Sequence, residues 1–254
     1  VRTDVFAYIK GHLPGAEYLS SETLRASEGG IPMRLLSAVA YSELFSRLGV
    51  DAGAPVVIYS AGESRNIDAT FTAWLFAGFG HPQVYILDGG FFKWQLEQRP
   101  VVQPYPRIPV TRFPKEFKPE SASLEDVRRA LRTGDAILVD ARAPDQFAGQ
   151  AGAQMRRGHI PGAINHPWAD DLTQEGFGHV WKDTTALRES YAAQGITPDK
   201  SLIAYCNSAT EKMFAEDFVK VFREDVVVIE AQQRRREAMP GAPQVSIAVD
   251  AAPM

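Results

Sequence analysis

Short apolar runs alternate along this chain with stretches of helical spacing. Leu44 to Leu48 carries helical spacing and stops at Gly49, a residue type that closes helices in the left-handed conformation. Val56-Val57-Ile58-Tyr59 is an unbroken β-branched run, the pattern of a strand buried on both faces. A helix over about 68–77 and a strand from Val84 to Leu87 are predicted next. In the second half, Ser123 with Asp126 predicts a capping box for a helix ending near Gly134, and Ile137-Leu138-Val139 reads as a strand. Asp183 caps a helix running to Gly195, and Leu202-Ile203-Ala204-Tyr205 is the next buried strand. A helix to about Phe222 and a strand from Val226 to Ile229 complete the pattern. Strands alternating with helices predict an α/β fold built on mainly parallel sheets flanked by helices.

The pattern is written twice. Gly11-His12-Leu13-Pro14-Gly15-Ala16 recurs as Gly158-His159-Ile160-Pro161-Gly162-Ala163, a shift of 147 positions. The stretch from Ser42 to Ser60 falls without a gap on residues 188 to 206 at a shift of 146, with Glu43 on Glu189, Gly49 on Gly195, Tyr59 on Tyr205 and Ser60 on Cys206. Two matches in the same order at nearly the same shift describe two copies of one domain. Between them lie Pro100, Pro104, Pro106, Pro109, Pro114 and Pro119, a density that favours an extended linker. The division expected is a first domain over 1–103, a linker over 104–120 and a second domain over 121–254. Val1-Arg2 corresponds to Ala141-Arg142, so the strand Ile137 to Asp140 has no counterpart in copy one. Either sequence is missing ahead of Val1, or this domain lacks an edge of its sheet.

Composition narrows the partners. Hydrophobic residues make up 45% and charged residues 23% of the 254, ordinary for a globular protein. A formal net charge of −4 gives no general reason to expect nucleic acid or an anionic membrane. No apolar run approaches the roughly 20 residues needed to cross a bilayer. The single cysteine excludes an internal disulfide and a multi-cysteine zinc site. None of His12, His81, His159, His166 and His179 pairs with another at metal-ligand spacing, and they read as surface or capping residues. No metal and no cofactor is expected. The chain opens without Met or a signal peptide; the cytoplasm is the expected compartment, with the periplasm open. Two fused copies can bury an interface within one chain, so a monomer is expected.

Cys206 follows a predicted buried strand and precedes a predicted helix. Ligands of parallel sheets bind beyond the carboxyl ends of the strands, and a helix N-terminus there favours negative charge. Such a position lowers a cysteine pKa towards the reactive thiolate. A buried, inert cysteine remains the alternative at this point.

Gly-His-Ile-Pro-Gly-Ala-Ile-Asn at 158–165, preceded by Asp140-Ala141-Arg142, resembles the opening signature of rhodanese-type sulfurtransferases. Leu87-Asp88-Gly89-Gly90 with Trp94 resembles the signature that closes such domains, and Tyr205-Cys206-Asn207-Ser208 the start of their active-site loop. The arrangement is similar to the two-domain thiosulfate and 3-mercaptopyruvate sulfurtransferases, whose second domain carries the cysteine; here Ser60 stands in copy one. The resemblance implies two tandem rhodanese-like domains and a Cys206 persulfide that carries sulfur from a small-molecule donor to cyanide or a thiol. It implies that Asn207, Ser208, Ala209, Thr210, Glu211 and Lys212 form the active-site loop. Arg142 and Arg157 are candidates for holding an anionic donor, because guanidinium clamps oxyanions in pairs of hydrogen bonds.

The loop departs from the family after Ser208. Ala209 stands where glycine is usual, and Glu211 follows five residues after the thiol. A carboxylate about 6 Å from the sulfur, at an effective dielectric near 20, opposes the thiolate by roughly 2–3 kcal/mol. A helix N-terminus returns at most about 2 kcal/mol. In the closing segment Glu230-Ala231-Gln232-Gln233-Arg234-Arg235-Arg236 replaces Asp88-Gly89-Gly90-Phe91-Phe92-Lys93-Trp94. A binding or regulatory protein with a degenerate loop is therefore the alternative to an active sulfurtransferase. A cysteine phosphatase or arsenate reductase is a third reading, weakened by Lys212 where arginine would clamp the oxyanion.

Overall fold

The computed structural model describes residues 5–28, 31–61, 66–119, 121–152, 157–206 and 245–250. In chain order the elements are α1 (Val5–Lys10), β1 (Ala16–Ser20), β2 (Arg25–Glu28), β3 (Ile31–Leu35), α2 (Ala38–Arg47), β4 (Val56–Tyr59), α3 (Ile67–Gly78), β5 (Val84–Ile86) and α4 (Gly90–Leu96). Then come α5 (Leu124–Thr133), β6 (Ile137–Asp140), α6 (Pro144–Phe147), β7 (Ile164–Asn165), β8 (Leu172–Glu175), β9 (Gly178–Trp181), α7 (Thr184–Ala193), β10 (Leu202–Tyr205) and β11 (Val245–Asp250). The helix and strand expected after Cys206 lie outside the described residues. Among the described residues no helix is long and apolar enough to cross a membrane.

The predicted helix ends form by the local chemistry that predicted them. Ser123 Oγ accepts from the Asp126 amide while the Asp126 carboxylate accepts from the Ser123 amide, closing the capping box at α5. Asp183 accepts from the amides of Thr185 and Ala186 at the start of α7. Gly49 (φ +71°) and Gly195 (φ +75°) end α2 and α7 in the same way. The amides of Gly49 and Val50 donate to Ser46 and Phe45, and those of Gly195 and Ile196 to Ala192 and Tyr191. The two copies share their turns as well as their strands.

The first unit holds α1 to α4, β1 to β5, β11 and the hairpin tip Gln174–Val180. Its main sheet is parallel throughout, in the order β1-β11-β4-β5. Tyr41, Phe45 and Phe76 are fully buried, with Phe45 and Phe76 ring centroids 4.5 Å apart. The proline-rich residues 104–119 carry no helix or strand, yet they form a strap packed on this unit and not a loose tether. Phe113 is 2% exposed. Its amide donates to Ser46 Oγ at 2.9 Å and its carbonyl accepts from Ser42 Oγ at 2.8 Å. Proline lets such a strap stay extended while leaving fewer amides to satisfy.

The second unit holds α5, α6, α7, β6, β7 and β10. Its sheet is parallel in the order β10-β6-β7. Leu138 and Ile203 point to one face, where Val127 and Ala130 of α5 cover them. Val139 and Ala204 point to the other, against Tyr191 and Ile196 at the end of α7. Helices on both faces explain why these strands read as continuous apolar runs.

β11 pairs parallel with both β1 and β4. In unit 2, β6 lies between β10 and β7; in unit 1, β11 lies in the matching place between β4 and β1. The place is interior to the sheet and not at its edge. β11 belongs to the first compact unit.

The histidine reading is also corrected. His12, His81 and His166 are buried, at 1%, 8% and 2% exposure. Each is accommodated by a partner for its ring: Tyr8 carbonyl at 2.9 Å for His12, Asp51 carbonyl at 3.2 Å for His81 and Asp171 carboxylate at 2.8 Å for His166.

Candidate active site

Cys206 is the first residue beyond β10, half-buried and in no disulfide. Ile203, Ala204 and Tyr205 ahead of it are buried, so the strand delivers the thiol to its carboxyl end on a fixed backbone. Tyr205 pairs with Asp140 across the parallel ladder, and the Ala141 amide donates to the Tyr205 carbonyl at 2.9 Å. The sulfur therefore sits beside the turn that leaves β6.

That turn is locked. Asp140 is fully buried, and its Oδ1 accepts from the Arg142 amide at 3.0 Å and from Arg142 Nε at 2.9 Å. Arg142 Nη2 donates to Asp140 Oδ2 at 2.6 Å and to the Gly158 carbonyl at 2.7 Å. The hydrogen bonds it donates to Asp140 raise the Arg142 pKa further, against the opposing effect of burial. Asn165 Nδ2 bridges the carbonyls of Asp140 and Arg142, both at 2.9 Å. Tyr205 Oη accepts from the Ile160 amide at 3.0 Å, and burial pushes the phenol pKa up. The Arg142 guanidinium lies 5.6 Å from the Tyr205 ring centroid. This network ties the strand ends of β6 and β10 to the Gly158–Ala163 turn.

Of the residues singled out in the sequence, Cys206, Arg142 and Arg157 are described. Arg142 is tied into the scaffold, with its side chain 8% exposed and its fork on Asp140. Arg157 is exposed, next to Gly158. Asn207, Ser208, Ala209, Thr210, Glu211 and Lys212 lie outside the described residues. Sequence reasoning missed Asp140, Asn165 and Tyr205 as the frame of the site. The tyrosine carried a usable signal, because Tyr59 repeats Tyr205 and accepts from the Leu13 amide at 3.2 Å, as Tyr205 does from Ile160.

Copy one is closed at the equivalent place. Ser60 is 1% exposed, and its Oγ donates to Asn66 Oδ1 at 2.6 Å. Asn66 is itself buried in the left-handed conformation (φ 60°), and its Nδ2 donates to the Leu87 carbonyl at 3.2 Å. Among the described residues that hydroxyl donates to an amide oxygen, which is not a base able to activate it.

Comparison with known proteins places the architecture. A model of the rhodanese-like domain matches residues 1–97 and again 123–231. The chain belongs to the rhodanese-like family. Among its relatives is the "Putative thiosulfate sulfurtransferase" of Synechococcus elongatus, 34% identical over 218 residues, covering 83% of this chain and 67% of that protein. The sulfur carrier protein TtuD of Thermus thermophilus is 33% identical over 82% of this chain and 75% of its own length. Among solved structures, the rhodanese-fold 3-mercaptopyruvate sulfotransferase SseA of Escherichia coli superposes with a TM-score of 0.71 at 26% identity, covering 99% of this chain and 87% of that one. Within this rhodanese-like pair, the half with a cysteine at the strand end is the second.

Proposed function

We propose that this rhodanese-like chain is a sulfurtransferase that carries sulfane sulfur on Cys206. The observation that carries the reading is the contrast between the two copies. The half-buried thiol stands at the carboxyl end of β10, and its counterpart Ser60 is buried and donates to Asn66. The curated relatives, named for thiosulfate sulfurtransfer and sulfur carriage, support it.

With thiosulfate as donor, the Cys206 thiolate attacks the sulfane sulfur. The donor's S–S bond breaks, sulfite leaves with the bonding pair, and a Cys206 persulfide remains. A nucleophile such as cyanide or a thiolate then takes the terminal sulfur, and the bonding pair returns to Cys206. Two half-reactions on one nucleophile predict ping-pong kinetics. The persulfide needs donors from the Asn207–Lys212 loop, by the logic of an oxyanion hole. Asn66, which reaches Ser60 in copy one, corresponds in sequence to Lys212 at the shift of 146. Exposed Arg157 is the better candidate to meet an anionic donor, and Arg142 holds the strand end. In this division residues 1–103 form the domain without a thiol, 104–120 the link, and 121–254 the sequence that carries Cys206.

Incubation with thiosulfate, and separately with 3-mercaptopyruvate, followed by intact mass measurement tests the reading. One added sulfur, absent in Cys206→Ser and removed by cyanide, is expected, and the active arm identifies the donor. No gain in either arm from folded protein would replace it with a binding or regulatory module whose loop Ala209 and Glu211 have disabled.

A further inference from the structure

One buried cluster of the second unit is polar where the first unit is apolar. His166 follows β7 and stacks on Tyr191 of α7, with ring centroids 4.1 Å apart. Its Nε2 lies 2.8 Å from Asp171 Oδ1 and its Nδ1 3.1 Å from Gln194 Oε1. Tyr191 Oη donates to Asp171 Oδ2 at 2.6 Å. At the shift of 147, His166 and Asp171 fall on Leu19 and Leu24; at 146, Tyr191 and Gln194 fall on Phe45 and Leu48. Leu19, Leu24 and Phe45 are buried. The surrounding elements match too, since the 3-10 turns Ser21–Leu24 and Trp168–Asp171 keep the first shift and α2 and α7 the second. Copy one thus builds the same positions from apolar side chains, which often replace a buried ion pair without loss of stability. The polar set stands in the copy that carries the thiol.

The cluster and the thiol share a row of the sheet. The Ala141 amide donates to the Tyr205 carbonyl at 2.9 Å and the His166 amide to the Asp140 carbonyl at 3.0 Å, extending the register of β10, β6 and β7 by one residue. Cys206, Ala141 and His166 are then neighbours across the sheet, and the outer two backbones lie about 10 Å apart, two strand spacings. The Trp168 amide donates to the Ala141 carbonyl at 3.1 Å, and the Lys182 amide to the Asp171 carbonyl at 2.9 Å. Both ring nitrogens of His166 face acceptor oxygens, and only the imidazolium donates from both. On losing a proton the ring gives up one partner, or Gln194 turns its amide over. Burial disfavours the charged ring, and Asp171, Gln194 and Asp170 favour it. Tyr191 is the other titratable group against the ring, while Asp140 and Arg142 on the neighbouring turn pair with each other.

We propose that His166 is a positioning residue for Cys206. As an imidazolium held between Asp171 and Gln194, it fixes the end of β7 and, through Ala141, the end of β10 that presents the thiol. Loss of its proton releases that row. The thiol then becomes easier for a small reagent to reach, and slower to take sulfur from a donor that needs the fixed geometry. The effect on sulfur loading rests on the sulfurtransfer reading above; the effects on the row and on thiol access do not.

The test follows the full chain across pH. The His166 ring resonances in NMR give the pH at which it titrates. Alkylation by iodoacetamide reads Cys206 alone, because the chain has no other cysteine. Beyond the inflection of the thiol itself, the alkylation rate should rise through a second inflection that coincides with His166. Sulfur loading by thiosulfate or 3-mercaptopyruvate, divided by the alkylation rate at the same pH to cancel the thiolate fraction, should fall through that pH. Hydrogen exchange at the Ala141 and His166 amides, corrected for its intrinsic pH dependence, should quicken there while Val139 and Ile203 stay protected. Asp171→Asn should move these changes to lower pH, and Tyr191→Phe, which removes a donor from the carboxylate, to higher pH. The copy-one set, His166→Leu, Asp171→Leu, Tyr191→Phe and Gln194→Leu together, should stay folded and lose the second inflection. A wild-type profile with the thiol's inflection alone would overturn the proposal and leave sulfurtransfer standing. So would a second inflection that survives in the copy-one set or ignores both single substitutions. Alkylation and row amides that follow His166 without any sulfur loading would uphold the proposal and overturn the sulfurtransfer reading instead.

Discussion

Replacing Arg142 by methionine should loosen the second unit far more than it alters donor binding. The side chain is 8% exposed, and its partner Asp140 is fully buried. The substitution removes both arms of the fork on Asp140 and the bond to the Gly158 carbonyl, leaving the carboxylate with the Arg142 amide at 3.0 Å. Breaking one side of a buried ion pair costs about 3–5 kcal/mol, because the remaining charge stays buried without compensation. At about 1.4 kcal/mol per factor of ten, local opening should become roughly 100-fold or more easier. Hydrogen exchange at the β6 and β10 amides reads this directly, without assuming that the two units unfold together. Asp140→Leu combined with Arg142→Met should recover part of the loss, since apolar pairs often replace buried ion pairs at little cost. Arg142→Lys should fall between, because an ammonium cannot span both carboxylate oxygens and the Gly158 carbonyl in one plane. The reasoning is refuted if Arg142→Met changes the protection of these amides by less than about 0.5 kcal/mol, the range of an ordinary surface substitution. A large rise in KM for thiosulfate with unchanged protection would instead make Arg142 the anion clamp.

Tyr41→Phe should destabilise the first unit by about 1–3 kcal/mol, read by denaturant titration. Its fully buried hydroxyl donates to the Leu24 carbonyl at 2.6 Å and accepts from the Leu36 amide at 3.2 Å, and burial holds its pKa up at about 12. Gly49→Ala should lower the melting temperature of the same unit. Its φ of +71° is unfavourable for an L-residue, and a Cβ would meet Ile108 Cγ2 at 1.9 Å, so the cost should exceed the roughly 1–2 kcal/mol of the conformation alone. His166 should make the second unit less stable as pH rises. Burial alone would lower its pKa, but the Asp171 carboxylate, with Gln194 and Asp170, raises it above 6.5 in the folded state. A raised folded value gives stabilisation that is complete below 6.5 and lost as pH climbs through the folded pKa. Melting curves of wild type and His166→Gln across this range should converge at high pH; a constant gap would count against it.

The local rules were legible in the sequence. Gly49 and Gly195 end helices because left-handed backbone favours glycine, and the Ser123 and Asp183 caps act within three residues of themselves. The repeat, the parallel strands and the position of Cys206 follow from the same short-range patterns, with the thiol at a strand end in one copy and Ser60 in the other. Tertiary structure decided what depends on partners remote in the chain. Burial of His12, His81 and His166 rests on carbonyls and a carboxylate that fold around them, which composition does not reveal. Arg142 looks alike in sequence whether it clamps a donor or Asp140, and only the distance to Asp140 and Gly158 separates the two tasks. The place of β11 is the furthest from local reach. A strand motif states that a segment will pair, but not with which strands; its pairing with β1 and β4, far from it in sequence, is decided by the tertiary fold.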